Sequence, residues 1–283
     1  MTSMNPSISL PRHGSNAGPS SFSSASRRTS LQTPRILKRA LKFPQMDFEL
    51  AVWEMSSLLV APKRVFRNYH YHRQTQRTWH RPDPSFAYLL GLFMLLTSLG
   101  WGLAYADGFG RTLKVALVFV LGHFLAASLL VATAAYVLVG KLLGPGVAGL
   151  PSFGRRRQRG LFQQPGDGAD QLEFGYCFDV AIRAFFPVWV FLYVAQFVLM
   201  PVIAKEYWVS LFVGNTLYVL ALVYYTVVTF LGYNALPFLQ HTELLLAPTA
   251  VIAILYIISL FGFNMPRHFA PILWAGAGLG QGV

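Results

Sequence analysis

The sequence predicts an all-α, polytopic membrane protein with about five transmembrane helices, and three observations lead to this prediction. Of the 283 residues, 54% are apolar and only 12% are charged, about half the charged fraction of a soluble domain. The apolar residues form long uninterrupted runs rather than a core-like spacing. The single cysteine, Cys177, excludes an intrachain disulfide and a cysteine-based zinc site.

Four regions follow from the distribution of polar residues. Residues 1–34 are rich in Ser, Pro, Gly and Asn, a composition that buries too little surface to order itself, and we expect a disordered cytosolic head. Residues 35–84 are expected to form an amphipathic and aromatic-basic interfacial region. The five-span membrane domain is expected over 85–265, with a flexible cytosolic loop at 140–173, and a lumenal tail over 266–283.

The interfacial region begins with a basic amphipathic segment. On a helix, Arg35, Lys38, Arg39 and Lys42 share one continuous face, which is typical of a helix lying on a membrane surface. A solvated helix ahead of the next element is the alternative interpretation.

The next segment, 45–61, is apolar but holds three acids, Asp47, Glu49 and Glu54, and is too short to span a membrane. We predict an interfacial or re-entrant helix that ends at Pro62, with Lys63 and Arg64 at the headgroups. The acids either face a partner or pair with neighbouring cations, and the sequence leaves both possibilities open.

Aromatic and basic residues alternate over 67–81. Such a pattern can stack nucleic-acid bases, but it is also the composition of a membrane interface belt. We favour the belt, because the first apolar run starts four residues later. The complete set of candidates for contact with the membrane surface or a partner is Arg35, Lys38, Arg39, Lys42, Asp47, Glu49, Trp53, Glu54, Lys63, Arg64, Arg67, Tyr69, Arg73 and Trp79.

Five apolar runs reach the length of a membrane span. They cover residues 85–106, 113–139, 184–204, 209–236 and 244–263. Lys and Arg number 19 in residues 1–84 and 140–183, against four on the other side of the spans. By the positive-inside rule the N-terminus is cytosolic and, with five spans, the C-terminus is lumenal.

Polar residues inside the predicted spans are functional candidates by default. They are His123, Gln196, Asn215 and Asn234, and hydrogen bonds between helices explain them equally well. Asp179 and Arg183, at i and i+4, are expected to pair, and Asp83 is expected to cap the first span. No nucleophile, phosphate-binding or zinc-protease motif is present, so we expect no enzyme, no cofactor and no metal.

Several segments resemble the Unc-fifty family of multi-pass Golgi membrane proteins. The resemblance lies in QMDFELAVWEM (45–55), APKRVFRNYHYHRQTQRTW (61–79), DPSF (83–86), FGYCFDVAIRAFFP (174–187) and VGNTLYVLALVYYTVVTFLGYNALPFL (213–239). It implies five spans, a cytosolic N-terminus, recruitment of Arf guanine-nucleotide exchange factors and delivery of receptors to the cell surface. Pro82, the loop 143–170 and the tail after Pro266 depart from the family pattern.

The sequence therefore favours a non-enzymatic Golgi protein of vesicle-mediated transport that docks trafficking machinery through residues 35–81. Its expected partners are the bilayer, an Arf exchange factor and cargo receptors. Two alternatives stand beside it. A small transporter or channel would need His123, Gln196, Asn215 and Asn234 to converge on one cavity, and RNA binding would use the basic-aromatic head with a steep salt dependence.

Overall fold

The computed structural model describes residues 47–67, 79, 83–106, 108–143, 172–203, 205 and 207–269. Helix α1 is Phe48–Val60. Within the described residues, five further helices are long and apolar enough to cross a membrane. These are α2 (Ser85–Tyr105), α3 (Phe109–Lys141), α4 (Phe174–Ile203), α5 (Trp208–Asn234) and α6 (Thr242–Ser259). The prediction of an all-α protein with five membrane-spanning helices is confirmed.

The observed spans agree with the apolar runs to within four residues, except at the start of α4. The sequence predicts this span to begin at residue 184, whereas α4 begins at Phe174. The difference arises because Asp179 and Arg183 interrupt the apolar run. Arg183 pairs with Asp179 and with Glu54 of α1, so the helix carries Asp179 and Arg183 without an unpaired charge.

Helix α4 lies at the centre of the bundle and contacts α1, α2, α3 and α5. Large side chains fill these contacts, since Phe93 of α2 stacks on Trp189 of α4 and Trp101 lies 4.9 Å from Phe197, centroid to centroid. Two π-helical segments, Val118–Ala126 in α3 and Trp189–Ala195 in α4, also face each other through side-chain contacts. Because π-turns leave some backbone carbonyls without their usual partner, other groups can bond them, and Trp101 Nε1 donates to the Tyr193 carbonyl at 3.0 Å.

Helix length indicates where the hydrocarbon boundary crosses the bundle. Twenty residues of helix rise about 30 Å, the thickness of the hydrocarbon core. Helix α2 has this length. Counting about 20 residues back from Ile203 in α4 reaches Arg183, and counting about 20 residues on from Trp208 in α5 reaches Val228. The ends of α4 and α5 on the α1 side therefore extend beyond the start of α2.

Helix α1 lies across the bundle at this boundary rather than along it. Its first residues meet α2, where the Asp47 N–H donates to Asp83 Oδ2 at 3.2 Å. Its middle meets α4 through Glu54. Its end meets α5, where Tyr224 Oη donates to the Leu59 carbonyl at 2.5 Å. Three different spans contact successive positions of α1, and the interfacial depth expected of the helix at 45–61 stays a prediction.

Helix α6 packs on α5 and is mostly exposed to lipid. Ile254, Ile257 and Ile258 are each 59% exposed. Because lipid tails are as apolar as these side chains, apolar contact gives little drive for helices to associate in a membrane. Hydrogen bonds join the two helices instead, from Thr226 to Thr249 at 3.0 Å and from Thr216 to Tyr256 at 2.9 Å.

Asn215 makes the third and densest link between α5 and the C-terminal residues. Its Nδ2 donates to Ser259 Oγ at 3.0 Å and to the Phe263 carbonyl at 2.8 Å, and its Oδ1 accepts from the Met265 N–H at 2.8 Å. The neighbouring Gly214 leaves room for Pro266, since a Cβ there would lie 2.5 Å from the proline ring. The chain after α6 therefore folds back against α5.

We predict that Asn215→Ala loosens this fold-back, because the Met265 N–H and the Phe263 carbonyl lose their hydrogen bonds to the buried Asn215 side chain. The expected cost is about 1–3 kcal/mol, seen as a fall in Tm of several degrees in detergent and faster proteolysis after Ser259. Asn264→Ala is the matched control, since Asn264 Oδ1 makes one bond, to the Arg267 N–H, at an exposed site. Equal Tm values for the two variants would contradict this role of Asn215.

Candidate functional site at the α1 end of the bundle

Helix α1 has a buried face and an exposed face. Ala51, Glu54, Met55 and Leu58 are at most 4% exposed, and their i, i+3, i+4, i+7 spacing is that of a helix packed on one side. This face lies against α2 and α4. The opposite side is unusually apolar for a surface, with Val52 50% exposed, Trp53 43% exposed and Val60 87% exposed.

A buried ion cluster attaches this face to the third span. Arg183 Nη2 donates to Glu54 Oε2 at 2.9 Å, and both side chains are 2% exposed. Arg183 Nη1 also donates to Asp179 Oδ1, one helical turn earlier. The guanidinium lies 5.0 Å from the centre of the Phe86 ring of α2, a cation–π distance. One side chain thus joins α1, α2 and α4.

A short helix at 62–67 follows α1 and packs against α5. Val65 and Phe66 are buried, whereas Lys63, Arg64 and Arg67 are exposed. The Phe66 ring fits against Gly232 of α5, where a Cβ would lie 3.3 Å from Phe66 Cε1 and 2.8 Å from Val180 Cγ1. Glycine at 232 therefore permits the close approach of this helix and α4 to α5.

Trp79 is a second anchor at this end of the bundle. Its backbone N–H donates to Glu173 Oε1 at 3.2 Å, and its ring packs edge-on against Phe238 at 5.9 Å.

Two further hydrogen bonds lie near the ends of the spans on this side. The Leu143 carbonyl accepts from the Gln240 N–H at 3.0 Å, and Asp83 Oδ1 accepts from the Ser85 N–H at 3.3 Å. Pro84, not Asp83, occupies the N-cap position of α2, and no side chain caps that helix, so the expectation that Asp83 caps the first span is wrong.

The exposed side of α1 contains a shallow hollow of about 320 Å³, lined by Asp47, Glu49, Leu50 and Trp53. Two carboxylates and an indole at one opening can accept a cationic side chain together with an apolar one. Among the surface candidates from the sequence, Asp47, Glu49, Trp53, Lys63, Arg64 and Arg67 are exposed here.

The surface expectation is wrong for two candidates. Glu54 is 2% exposed because it pairs with Arg183, and Trp79 is 4% exposed because it packs on Phe238. Of the two possibilities left open for Glu54, the structure therefore has the ion pair. Arg35, Lys38, Arg39, Lys42, Tyr69 and Arg73 lie outside the described residues.

The four intramembrane polar candidates do not meet in one cavity. The His123 and Tyr193 side chains hydrogen-bond at 2.9 Å, and Asn215 is occupied by the fold-back of the C-terminal residues. Asn234 Oδ1 accepts from Thr242 Oγ1 at 2.9 Å, and it lies 19 residues from Asn215 on α5, about 28 Å away. Gln196 is 1% exposed, and its Nε2 has no partner among the described residues.

In the described part of the chain, no group of three or more His, Cys, Asp or Glu residues is placed to hold a metal ion. The arrangement at α1 consists of ion pairs, hydrogen bonds and exposed apolar groups.

Comparison with known proteins gives a consistent result. The chain matches the sequence model of the UNC-50 family over residues 36–274. It is 39% identical over 232 residues to the human protein unc-50 homolog, and the aligned region covers 81% of this chain and 82% of that protein. It is 37% identical over 237 residues to the zebrafish (Danio rerio) protein unc-50 homolog, covering 82% and 84%. It is 38% identical over 237 residues to the protein GMH1 homolog of Schizosaccharomyces pombe, covering 83% and 94%. No solved structure matches the chain significantly.

Removing the arginine of the ion cluster is expected to be strongly destabilising. Arg183→Met takes the guanidinium away from the buried Glu54 carboxylate, which costs on the order of 3–5 kcal/mol. The double variant Glu54→Gln/Arg183→Met should regain part of that loss, because residue 54 then carries no buried charge. Thermal unfolding of purified protein measures both, and Arg64→Met, at an exposed position, is the matched control. An Arg183→Met protein as stable as this control would refute the assignment.

Gly232→Ala tests the close packing at 62–67. Both Cγ atoms of Val180 lie within 2.9 Å of the added methyl position, so rotating the valine does not relieve the clash. Overpacking of this kind costs about 1–3 kcal/mol, and we expect a lower Tm together with faster protease cleavage near residue 67. Gly110→Ala is the control, because a Cβ there meets nothing within 4 Å. Similar Tm values for both alanine variants would show that α5 does not require glycine at 232.

Proposed function

Because the chain belongs to the UNC-50 family, we propose that it is a non-enzymatic Golgi membrane protein of vesicle-mediated transport, and that the α1 end of the bundle is its cytosolic docking surface. The partner we propose is an Arf guanine-nucleotide exchange factor, with delivery of receptors to the cell surface as the downstream process. The family resemblance supports the Golgi location and the partner. The 19-to-4 distribution of Lys and Arg supports a cytosolic position for this end.

The hollow at Asp47, Glu49, Leu50 and Trp53 carries the proposal. Exposed tryptophans are frequent energetic centres of protein interfaces, and two carboxylates beside Trp53 favour a partner segment that combines a cation with apolar side chains. The hollow is held in a fixed orientation, since the buried face of α1 is anchored by Arg183. A preorganised surface loses less conformational entropy on binding than a flexible one.

The proposed docking surface is smaller than the 35–81 region expected from the sequence. Within the described residues it consists of the exposed side of α1. The buried Glu54 supports this surface from behind through its ion pair with Arg183. A transporter or channel is disfavoured, because His123, Asn215 and Asn234 have separate hydrogen-bond partners along the bundle.

The test reverses the charge of the hollow without touching the buried face of α1. Asp47→Lys/Glu49→Lys and, separately, Trp53→Ala are expected to lower recovery of the Golgi Arf exchange factor at least tenfold, as for hot-spot residues. The measurement is co-precipitation with the tagged chain from detergent-solubilised Golgi membranes. Glu243→Lys is the control, an exposed acid outside the hollow.

The variants must still fractionate with Golgi membranes, so that a lost interaction is not a lost protein. Undiminished recovery of the exchange factor with both hollow variants would reject the docking surface. A chain that fractionates with another organelle would reject the Golgi assignment independently.

A further inference from the structure

Three exposed cations lie together on the short helix after α1. Lys63, Arg64 and Arg67 occupy adjacent positions, and the buried Val65 and Phe66 between them fix this helix to the bundle. Within the described residues none of the three forms an ion pair, since the two ion pairs there both belong to Arg183. The sequence contains no acid between Glu54 and Asp83. These charges therefore lack a neutralising group in this stretch of the chain.

The level of these cations in the membrane follows from α5. Leu59, at the end of α1, is bonded to Tyr224, about 6 Å inside the boundary expected near Val228. Phe66 contacts Gly232, about 6 Å outside that boundary. The helix at 62–67 thus climbs through the layer that holds lipid headgroups, which is several ångströms thick.

An exposed apolar surface lies directly below the cations. Val60, three residues before Lys63 and outside the hollow at Trp53, is 87% exposed, and Val52, two turns earlier on α1, is 50% exposed. At the hydrocarbon boundary such side chains contact lipid tails. An acidic peptide would pair with the cations but would leave this apolar surface unused.

We propose that Lys63, Arg64 and Arg67 form a binding site for an anionic phospholipid of the leaflet on the α1 side. The lipid phosphate lies among the three cations, and the upper part of its acyl chains lies on Val60, the exposed apolar residue at the end of α1 next to them. Arginine binds phosphate through two parallel hydrogen bonds, which adds direction to the attraction. The site is separate from the hollow at Asp47 and Glu49 and does not depend on the docking function proposed above.

Native mass spectrometry of the purified full chain tests the site. The protein is incubated with equal amounts of phosphatidylserine and phosphatidylcholine of identical acyl chains, and the ratio of bound lipids is measured. Each cation near an anionic headgroup contributes about fivefold to binding. The wild-type chain should bind more phosphatidylserine than phosphatidylcholine. Lys63→Gln/Arg64→Gln/Arg67→Gln should lower the ratio of the two bound lipids about a hundredfold, or to one if the wild-type ratio is smaller than that.

Two control variants separate the site from general charge and from misfolding. Lys63→Arg/Arg64→Lys/Arg67→Lys keeps the three charges and should keep the preference. Lys114→Gln/Lys205→Gln removes two exposed cations at the other end of the bundle and should leave it unchanged. A Tm equal to that of the wild type shows that the glutamine variant is folded.

Three results would overturn the proposal. An undiminished phosphatidylserine preference in the glutamine variant would show that the three cations do not form the binding site. An equal loss in Lys114→Gln/Lys205→Gln shows that any cation has the same effect. Displacement of phosphatidylserine by poly-glutamate, dependent on the same three cations and stronger than displacement by phosphatidylserine vesicles, assigns the surface to an acidic peptide instead.

Discussion

The buried ion cluster around Arg183 is the interaction on which the α1 end of the molecule depends. A charged group at the edge of the hydrocarbon core is costly unless it is paired, and Arg183 is paired with Glu54 and Asp179 in a space also closed by Phe86. Because Glu54 belongs to α1, satisfying the charge also fixes α1 across the spans. The position of α1 in turn fixes the exposed side of α1 and the short helix at 62–67 relative to the spans.

Much of this fold could be predicted from the sequence because the hydrocarbon core selects for long uncharged helices. The starts of α2 and α5 could be predicted, as could the i, i+4 contact of Asp179 with Arg183, because they depend on neighbours in the chain. The UNC-50 family resemblance also rested on residues that can be read directly, and the comparisons confirm it. Local spacing carries such information.

Long-range contacts were out of reach of the same reasoning. Glu54 and Arg183 are 129 residues apart, and no pattern near either one indicates the other. The sequence does not distinguish Trp79 from the other aromatic and basic residues of 67–81. In the structure the Trp79 ring packs on Phe238, and its backbone N–H donates a hydrogen bond to Glu173. The sequence shows that residues 47–54 are acidic. It does not show that Asp47 and Glu49 are exposed while Glu54 is buried, because that depends on which face of α1 packs on the bundle.

The lipid-facing side of α3 has a consequence for the membrane itself. Apart from the exposed Arg111 and Lys114 near its start, the exposed side chains along it from Phe109 to Leu138 are mostly apolar. This stretch spans about 40 Å of helix, because its π-helical part rises less per residue, whereas the whole of α2 rises about 31 Å. A flat sheet of uniform thickness does not match both flanks of an upright bundle. Either the molecule leans or the bilayer swells beside α3, at an energetic cost that falls as the surrounding membrane becomes thicker. Among the successive compartments of a cell, whose bilayers differ in thickness, such a shape favours residence in some over others.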